Sequence, residues 1–410
     1  MLAGGEGDGA QLALEIVTEF GEAVGARRLM PITRAHIDSC LYQGQSGLDF
    51  ADRLVAGKAK VRVPSTLNVG AVDLLHPELN RGDLPSIENG RRLMNAYLAM
   101  GCRPTWTCAP YQLPGRPQLG EQVAWAESNA IVFINSVVGA RTERYGDFID
   151  ICAAITGRVP EHGLHLTENR RAEVVFDIAG LSPQWRSSEL FWPLLGFVVG
   201  ARAGSRIPAL VGASPGVDED SLKAFGAAAA SSGAVALFHV VGITPEAPTL
   251  EAAVQGQELV DVIDVNATML KKAQAELTTS GTGNLVAVSV GTPHFSITEF
   301  EKLVGLVGGR KRDPRVEFYA STSRDTIREL ERRGWHEELK RFGVELVADT
   351  CTYLKPIISH ASGTVMTNSA KWAYYAPGNL GYEVLLASLA DCVASAATGT
   401  IVLDASSTGD

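Results

Sequence analysis

The sequence has few cysteines and no long apolar run, and each shortage argues against a class of protein. Six cysteines scattered over 410 residues do not form a disulfide framework, so we expect free thiols or metal ligands. No apolar run reaches the roughly eighteen residues that a membrane span needs. Residues 1–7 contain no basic segment and no apolar signal core. We therefore expect no membrane partner and a cytoplasmic location.

Positive charge is also scarce, with 36 Lys and Arg against 46 Asp and Glu, which gives a net charge of -10. This balance speaks against a nucleic-acid partner, because affinity for phosphate backbones comes largely from Lys and Arg. A small anionic or zwitterionic substrate remains open, since a local cluster of basic side chains can override the global sign.

Predicted strands alternate with predicted helices along most of the chain, which is typical of α/β proteins with parallel sheets. Apolar residues at helical spacing predict an amphipathic helix over residues 8–28. Residues Thr105–Cys108 resemble a short strand. After about residue 170 the pattern changes, and short buried strands alternate with helices.

Between Cys108 and Asp147 the sequence holds an unusual density of polar residues among apolar ones such as Ile131 and Phe133. Burying amides, hydroxyls and charges costs free energy unless each finds a partner. This stretch is therefore the first candidate for an active site.

Polar groups also follow several predicted strands, at the carboxyl ends where parallel sheets bind ligands. These segments are Ser65–Gly70, Ser289–Ser296, Asp349–Tyr353, Met366–Lys371 and Asp391–Cys392.

Three of the cysteines, Cys108, Cys351 and Cys392, lie among small or polar neighbours. Thiolates hold iron–sulfur clusters, and a set of three thiolates leaves one iron open to a substrate oxygen. The chain contains no CxxC pair, so the alternative is that all six cysteines are buried small hydrophobes.

Other candidates allow a functional and a structural interpretation. Lys371 could clamp a carboxylate or could be a surface lysine at a capped helix start. Arg141 and Arg144 could form a carboxylate fork or an ion pair with a neighbouring acid. His36 and His294 follow predicted strands and are either catalytic or structural.

Taken together in chain order, these segments resemble the large, catalytic subunit of aconitase X, a divergent branch of the aconitase superfamily. The matching segments cover nearly the whole chain: Met1–Gly7, Ala35–Asp38, Ser65–Asn68, Thr107–Tyr111, Gly115–Pro117, Glu127–Asn129, Asn135–Ser136, Gly139–Thr142, Gly291–Ser296, Asp349–Cys351, Thr367–Lys371 and Asp391–Cys392.

The resemblance implies an aconitase-like α/β fold, with several parallel or mixed sheets around a central cleft. We expect α/β domains at residues 1–170, 171–280 and 281–410. The small swivelling domain of the family, which supplies a serine implicated as the catalytic base, is not found in this chain. A small swivel-domain subunit or a fused module is therefore the expected partner.

The resemblance also implies dehydration of a small hydroxy acid at an iron–sulfur cluster held by Cys108, Cys351 and Cys392. Mainstream aconitases use a CxxC pair, which this chain lacks, so the expected cluster lies between 2Fe–2S and 4Fe–4S. Lys371 and His294 are the catalytic candidates. The substrate-binding candidates share amide, hydroxyl or guanidinium groups: Ser65, Thr66, Asn68, Asn135, Ser136, Arg141, Thr142, Asn368 and Ser369.

Two dehydratase reactions are known for this family, and they differ in substrate charge. We expect conversion of cis-3-hydroxy-L-proline to 1-pyrroline-2-carboxylate, because no phosphate-binding loop is evident and the Ser65–Gly70 turn resembles the bacterial hydroxyproline type. Mevalonate 5-phosphate is the alternative substrate. An RNA-binding protein or a non-catalytic scaffold subunit is the alternative of another class.

Overall fold

The chain forms several α/β layers in a computed structural model that describes residues 1, 4–258, 261–280, 283–360 and 362–404. Leu2 and Ala3 of the Met1–Gly7 motif lie outside the described residues. Within the described parts, no helix is long and apolar enough to cross a membrane.

Residues 1–170 are built on a small sheet of three parallel strands in the order β3-β2-β4. A separate antiparallel pair joins β1 to β5. The strands are β1 (Leu29–Pro31), β2 (Ala35–Ile37), β3 (Ser65–Leu67), β4 (Ala124–Trp125) and β5 (Arg158–Pro160), and the helices are α1 (Asp8–Ala23), α2 (Gln45–Ala56), α3 (Leu84–Ala99), α4 (Ser128–Phe133) and α5 (Ile149–Thr156).

The middle of the chain forms a parallel four-stranded sheet in the order β8-β7-β6-β9. Its strands are β6 (Val174–Asp177), β7 (Pro208–Val211), β8 (His239–Val240) and β9 (Val262–Asp264). The helices are α6 (Pro183–Ser187), α7 (Phe191–Ala203), α8 (Glu219–Ser232), α9 (Leu250–Ala253) and α10 (Ala267–Glu276). Helix α7 is apolar nearly all round, as a helix buried on both sides must be.

The last part of the chain forms a parallel five-stranded sheet in the order β12-β11-β10-β13-β14. Its strands are β10 (Leu285–Val290), β11 (Glu317–Ser321), β12 (Val344–Val347), β13 (Thr364–Thr367) and β14 (Glu383–Leu386). The helices are α11 (Ile297–Val307), α12 (Arg324–Arg333), α13 (Trp335–Phe342), α14 (Ala370–Leu380) and α15 (Leu389–Thr398). All six residues of β10 are buried, and every position except Ser289 is apolar.

Two of the local sequence predictions need correction. The helix predicted over residues 8–28 ends at Ala23, and Gly25 then adopts a positive φ of 72° that stops further helical winding. Residues Thr105–Cys108 are not a strand, because Trp106 adopts a positive φ of 44° that interrupts extended backbone.

Candidate metal centre and active site

The carboxyl edges of the first and third sheets supply the loops of the candidate site. His294 follows β10, Cys351 follows β12, and Lys371 lies in the first turn of α14 after β13. Because these strands are parallel, their following loops meet at one edge of the sheet. The loop that carries Cys108 reaches this edge from the first sheet, where the Thr107 amide donates to the Leu67 carbonyl at 3.1 Å.

Cys108, His294 and Cys351 form a compact group of side chains. One ligand atom from each residue lies within 4.8 Å of the others, and all three residues are buried. The His294 amide donates to Cys108 Sγ at 3.3 Å, and His294 Nε2 lies 3.9 Å from Cys351 Sγ. His294 Nδ1 lies 3.0 Å from Thr107 Oγ1. The imidazole is therefore fixed at both nitrogens, beside both sulfurs.

Cys351 and His294 are held uncharged in the absence of a cation. Hydrogen bonding to Cys108, together with burial, raises the pKa of Cys351 well above its usual value. Burial lowers the pKa of His294 to about 4, so its ring is neutral near pH 7. Two thiols and a neutral imidazole are the donors that transition metals such as iron and zinc prefer, and coordination deprotonates the thiols. The group could therefore hold a metal.

The structure does not bring the third predicted thiolate, Cys392, to this group. Cys392 lies on α15 and packs into the apolar core of the third sheet, with Val290 and Phe300. Burial and the nearby carboxyl of Glu189 raise its thiol pKa well above the usual value. The predicted set of three cysteines is thus replaced in this geometry by two cysteines and His294.

A buried ion pair between Lys371 and Glu127 lies beside the metal-binding group. Burial opposes the charge on Lys371, but the Glu127 carboxylate together with Tyr353 and Cys108 outweighs it and raises the Lys371 pKa. Glu127 Oε2 accepts hydrogen bonds from the Ala130 amide at 2.7 Å and from Asn129 Nδ2 at 3.0 Å. Asn129 Nδ2 also donates to the Cys108 carbonyl at 2.5 Å. The pair is therefore tied to the loop that carries Cys108.

Glu127 was not among the candidates chosen from the sequence. It adopts a positive φ of 75°, a strained conformation for a residue with a side chain, and such strain is common at functional sites. One signal was available, because Glu127 is the only charged residue between Val123 and Phe133.

Lys371 also lines a cavity of about 350 Å³ between the second and third sheets. Asn368 and Ser369 line it as well, and Ser369 caps α14 while donating its hydroxyl to the Thr292 carbonyl. Thr292 is 5% exposed, and its Oγ1 has no hydrogen-bond partner among the residues that the structure describes. A hydroxyl of this kind is available to a ligand in the cavity.

The candidates of the Ser65–Gly70 turn divide into two sets. Ser65 donates to the Val63 carbonyl at 2.9 Å, at the amino end of β3 and away from the carboxyl edge. Thr66 contacts His36 Nδ1 at 2.9 Å, and Asn68 donates to the Asp38 carboxylate. Thr66 and Asn68 thus belong to the carboxyl edge of the first sheet.

The candidates between residues 135 and 142 make internal contacts instead. Asn135 Nδ2 donates to the carbonyls of Thr142 and Ala236, both at 3.0 Å. Ser136 Oγ accepts from the Phe238 amide at 2.8 Å, and Thr142 Oγ1 accepts from the Trp125 amide at 2.9 Å. Much of their hydrogen-bonding capacity is therefore used to join the polar stretch to the second sheet.

Arg141 lies in the same region and also makes internal contacts. It donates to Thr167 Oγ1 at 2.8 Å and lies 3.6 Å from the Glu246 carboxylate. The structure does not bring it to the metal-binding group.

Three domain models of one protein family match consecutive parts of the chain. The profile described as Aconitase X first domain matches residues 1–168, the second domain matches residues 172–275 and the third domain matches residues 285–398.

Three curated relatives and one solved structure illustrate the similarity. The chain is 43% identical over 404 residues to a protein from Pseudomonas aeruginosa named cis-3-hydroxy-L-proline dehydratase, covering 97% of this chain and 69% of that protein. A protein of the same name from Hypocrea jecorina is 44% identical, with 97% and 67% covered. The phosphomevalonate dehydratase large subunit of Methanothermobacter thermautotrophicus is 35% identical, with 94% of each chain covered.

The crystal structure of Thermococcus kodakaraensis aconitase X in its holo form superposes with a TM-score of 0.86. It is 31% identical in sequence, and the alignment covers 96% of this chain and 97% of that one. With three matching domain profiles and relatives that align over nearly its whole length, this chain belongs to the aconitase X family.

Proposed function

We propose that this chain is the large, catalytic part of an iron–sulfur-dependent hydro-lyase that converts cis-3-hydroxy-L-proline to 1-pyrroline-2-carboxylate. The relatives named for that reaction are 43% and 44% identical, whereas the phosphomevalonate dehydratase large subunits are 31% to 35% identical. The observation that carries the proposal is the buried group of Cys108, His294 and Cys351 beside the Lys371–Glu127 pair.

In this proposal Cys108, Cys351 and His294 hold the iron–sulfur cluster. Mixed cysteine and histidine ligation occurs in clusters with two irons, so a small cluster fits this donor set. When bound, such a cluster supplies a Lewis acid that makes a hydroxyl a better leaving group. We assign His294 as a ligand because its Nε2 lies 3.9 Å from Cys351 Sγ within the buried group, while the Thr107 hydroxyl contacts Nδ1 and orients the ring.

The charge of the cavity favours hydroxyproline over a phosphorylated substrate. Its lining has four carboxylates and three lysines, so negative groups outnumber positive ones. A phosphate would need an excess of positive charge or a cluster of backbone amides. A zwitterionic imino acid carries its own ammonium and fits a lining of mixed sign. The charged lining residues are Glu189, Asp218, Asp220, Lys223, Glu299, Lys302 and Lys371.

The chain's own residues would bind and orient the substrate. We assign the carboxylate to Lys371 Nζ, with the Ser369 and Asn368 side chains and the unpartnered Thr292 hydroxyl completing its surroundings. Dehydration breaks the bond between C3 and the hydroxyl, removes the proton from Cα, and gives an enamine that tautomerises to the cyclic imine. Correct orientation of these two leaving groups is the contribution that fixed side chains can make.

The base is expected from a small partner domain. Relatives of the phosphomevalonate type are named as large subunits, which implies a small subunit for those proteins. We propose that this chain pairs in the same way with a small swivel domain, supplied as a separate chain or as a fused module.

The decisive experiment is anaerobic production of the chain, with and without a co-expressed small subunit, followed by iron and sulfide analysis. Turnover is then measured with cis-3-hydroxy-L-proline and with mevalonate 5-phosphate. We expect bound iron and sulfide, and dehydration of hydroxyproline only when the small subunit is present. Iron-free protein, or turnover of mevalonate 5-phosphate alone, would overturn the proposal.

Cysteine variants test the ligand set directly. Cys108→Ala and Cys351→Ala should each abolish the visible cluster absorption and turnover, because each removes a sulfur ligand. Cys392→Ala is the matched control and should keep both. Cluster loss in the Cys392 variant would show that the ligand set includes Cys392 and that the assignment is wrong.

A further inference from the structure

The cavity wall formed by α8 and α11 carries two carboxylates that share one buried lysine. Lys223 on α8 is 1% exposed, lies 2.9 Å from the Asp220 carboxylate and also pairs with Glu299 on α11. All three residues line the cavity of about 350 Å³. Two carboxylates and one lysine leave this wall one positive charge short. A shielded excess charge is costly without a counter-charge, so the wall favours a cationic ligand group.

Hydrogen bonds single out one carboxylate oxygen of this wall. Both oxygens of Asp220 are in use, since Oδ1 faces Lys223 and Oδ2 accepts from the Ser296 hydroxyl at 2.7 Å. Glu299 accepts from Lys223 and from the Ser296 amide through Oε2 alone. Its Oε1 makes no hydrogen bond within the described parts of the chain, and the side chain is 17% exposed. A ligand in the cavity can therefore reach this oxygen.

The other two carboxylates of the lining are less suited to a ligand cation. Asp218 is exposed and caps α8 by accepting from the Ser221 amide at 2.7 Å. Glu189 accepts from the Leu389 amide with both of its oxygens, at 3.0 and 3.1 Å. Water screens the first carboxylate, and existing hydrogen bonds occupy the second. Glu299 Oε1 is the acceptor that remains.

The titration of Glu299 reflects the same shortage of positive charge. Burial raises the pKa of Glu299 to about 7, because the opposing charge of Lys223 compensates burial only in part and Asp220 adds a like charge. A further cation beside Oε1 would favour the ionised form. The carboxylate is therefore suited to an ammonium group.

Backbone length limits the distance between this wall and the proposed carboxylate site. Ser369 donates its hydroxyl to the Thr292 carbonyl, and Lys223 Nζ lies 3.5 Å from the His294 carbonyl. The backbone between these two carbonyls spans at most about 7 Å, so one small ligand can contact both ends. The Thr292 hydroxyl, buried without a partner, lines the same cavity and independently indicates a polar ligand.

We propose that Glu299 Oε1 binds the secondary ammonium of the imino acid, and that this contact selects cis-3-hydroxy-L-proline over substrates without a nitrogen. The carboxylate and the ring nitrogen of the ligand are bonded to the same Cα, so they can face Lys371 and Glu299 together. Mevalonate 5-phosphate has no ammonium and would bring further negative charge to Glu299. The inference rests on the proposed function for the identity of the substrate, whereas the contact itself requires only a zwitterionic imino acid.

The first test measures binding without turnover, by calorimetry on the complex with its cluster and small subunit. L-Proline and L-tetrahydrofuran-2-carboxylate share ring and carboxylate, but the second has an ether oxygen in place of the ammonium. The wild-type complex should bind L-proline about tenfold or more tightly than the ether, because hydrogen bonds between charged groups are the strong ones. Equal affinities, or no measurable binding of L-proline, would overturn the inference.

Variants then assign this preference to one side chain. Glu299→Gln removes the charge, yet its amide oxygen can still accept from the Ser296 amide, and Lys223 keeps Asp220. The affinity for L-proline should fall by about tenfold or more, whereas the affinity for the ether should not fall. Asp218→Asn is the matched control, because it removes a carboxylate from the same lining, and it should keep the wild-type ratio of the two affinities. A similar loss of the ratio in both variants would show that net charge and not the contact selects the ligand.

Kinetics of the complex provide a second readout. Glu299→Gln should raise KM for cis-3-hydroxy-L-proline by about tenfold or more with a smaller change in kcat, since the ammonium contact is present before and during the reaction. Iron and sulfide content and the visible spectrum should match those of the wild type, because Glu299 is not a ligand of the cluster. Loss of the cluster in this variant would indicate a structural role and contradict the inference.

Failure of the two proposals can be told apart. If the wild-type complex does not turn over hydroxyproline but still prefers L-proline to the ether, and Glu299→Gln removes that preference, the proposed function fails and the ammonium site stands. If hydroxyproline is turned over but Glu299→Gln leaves the preference and KM unchanged, the proposed function stands and the ammonium site fails.

Discussion

Lys371 and Glu127 place a positive and a negative charge where side chains are only 3% and 8% exposed. Water cannot stabilise either charge there, so each depends on the other. The same two residues join the loop of Cys108 to α14, which links the first and third sheets. At the scale of single residues, this pair carries both a structural and a proposed binding role.

Removing one partner of this pair should destabilise the fold strongly. Lys371→Met leaves Glu127 buried without a counter-charge, and we expect the free energy of unfolding to fall by about 3–5 kcal/mol. The double variant Lys371→Met with Glu127→Gln should lose less than the single variant, because no isolated charge remains. Urea denaturation of the two variants measures this difference.

The surface pair of Arg92 and Asp52, at 2.9 Å, provides the control. Its side chains are 60% and 47% exposed, so Asp52→Asn should cost no more than about 1 kcal/mol. Equal losses for the buried and surface pairs would show that burial does not set the energy of the Lys371–Glu127 pair.

Helices α7 and α8 pack closely because glycines lie where they cross. A Cβ on Gly200 would come within 2.8 Å of the Ala229 Cα, and one on Gly196 within 2.9 Å of the Phe225 Cα. Neither backbone can move without separating the helices. At the scale of elements, these two glycines set the distance between α7 and α8. The same two helices carry Trp192 and Lys223, which line one wall of the cavity.

Gly200→Ala should therefore lower the free energy of unfolding by about 1–3 kcal/mol through overpacking. The matched control is Gly305→Ala in α11, where a Cβ would meet nothing within 4 Å. That change should stabilise the protein by about 0.5–1 kcal/mol, since alanine favours the helix. Thermal unfolding of both variants distinguishes them. A stable Gly200 variant would contradict the close packing of α7 and α8.

Several buried histidines give the whole molecule a sensitivity to acid. His165 contacts the Tyr145 hydroxyl at 2.5 Å through Nε2 and Gln122 Oε1 at 2.6 Å through Nδ1. Burial, helped by Arg170, lowers the pKa of His165 to about 3. Between about pH 6.5 and 3, the unfolded chain binds a proton at this residue that the folded chain does not.

Stability should thus fall as the pH drops through this window, by up to about 1.4 kcal/mol per pH unit for each such histidine. His165→Gln should be less stable at pH 7 but should show a smaller slope between pH 6 and 4. The control His336→Gln should keep the wild-type slope. Urea midpoints measured at several pH values test this, and an unchanged slope in the His165 variant would contradict it.

Much of the fold followed from local patterns. The all-buried strand β10 is apolar at every position except Ser289, and the capping serines of α14 and α15 stand directly before their helices. The local patterns failed at Thr105–Cys108, where Trp106 turns to a positive φ that its side-chain type does not reveal. Periodicity describes regular backbone, so it has no means of locating such a turn.

The candidate site followed from the sequence only in part. The sequence offers Cys108, Cys351, His294 and Lys371 as candidates, because polar or thiol groups after buried strands stand out against apolar surroundings. The structure places the first three in one buried group, and their roles stay predictions. Asn135 and Thr142 stood out for the same reason, yet their hydrogen bonds hold the backbone together. A sequence shows that a buried polar group needs a partner, but not whether that partner is a ligand or the chain itself.

The sequence by itself determined the α/β class, the residue types available for chemistry and the resemblance to one family. Only the tertiary structure decided which of them meet. Cys108 and Cys351 are separated by 243 positions, and strand order brings them to one sheet edge with His294. The same folding places Cys392 in an apolar core. Contacts between distant residues depend on how the layers pack, and no local pattern encodes that packing.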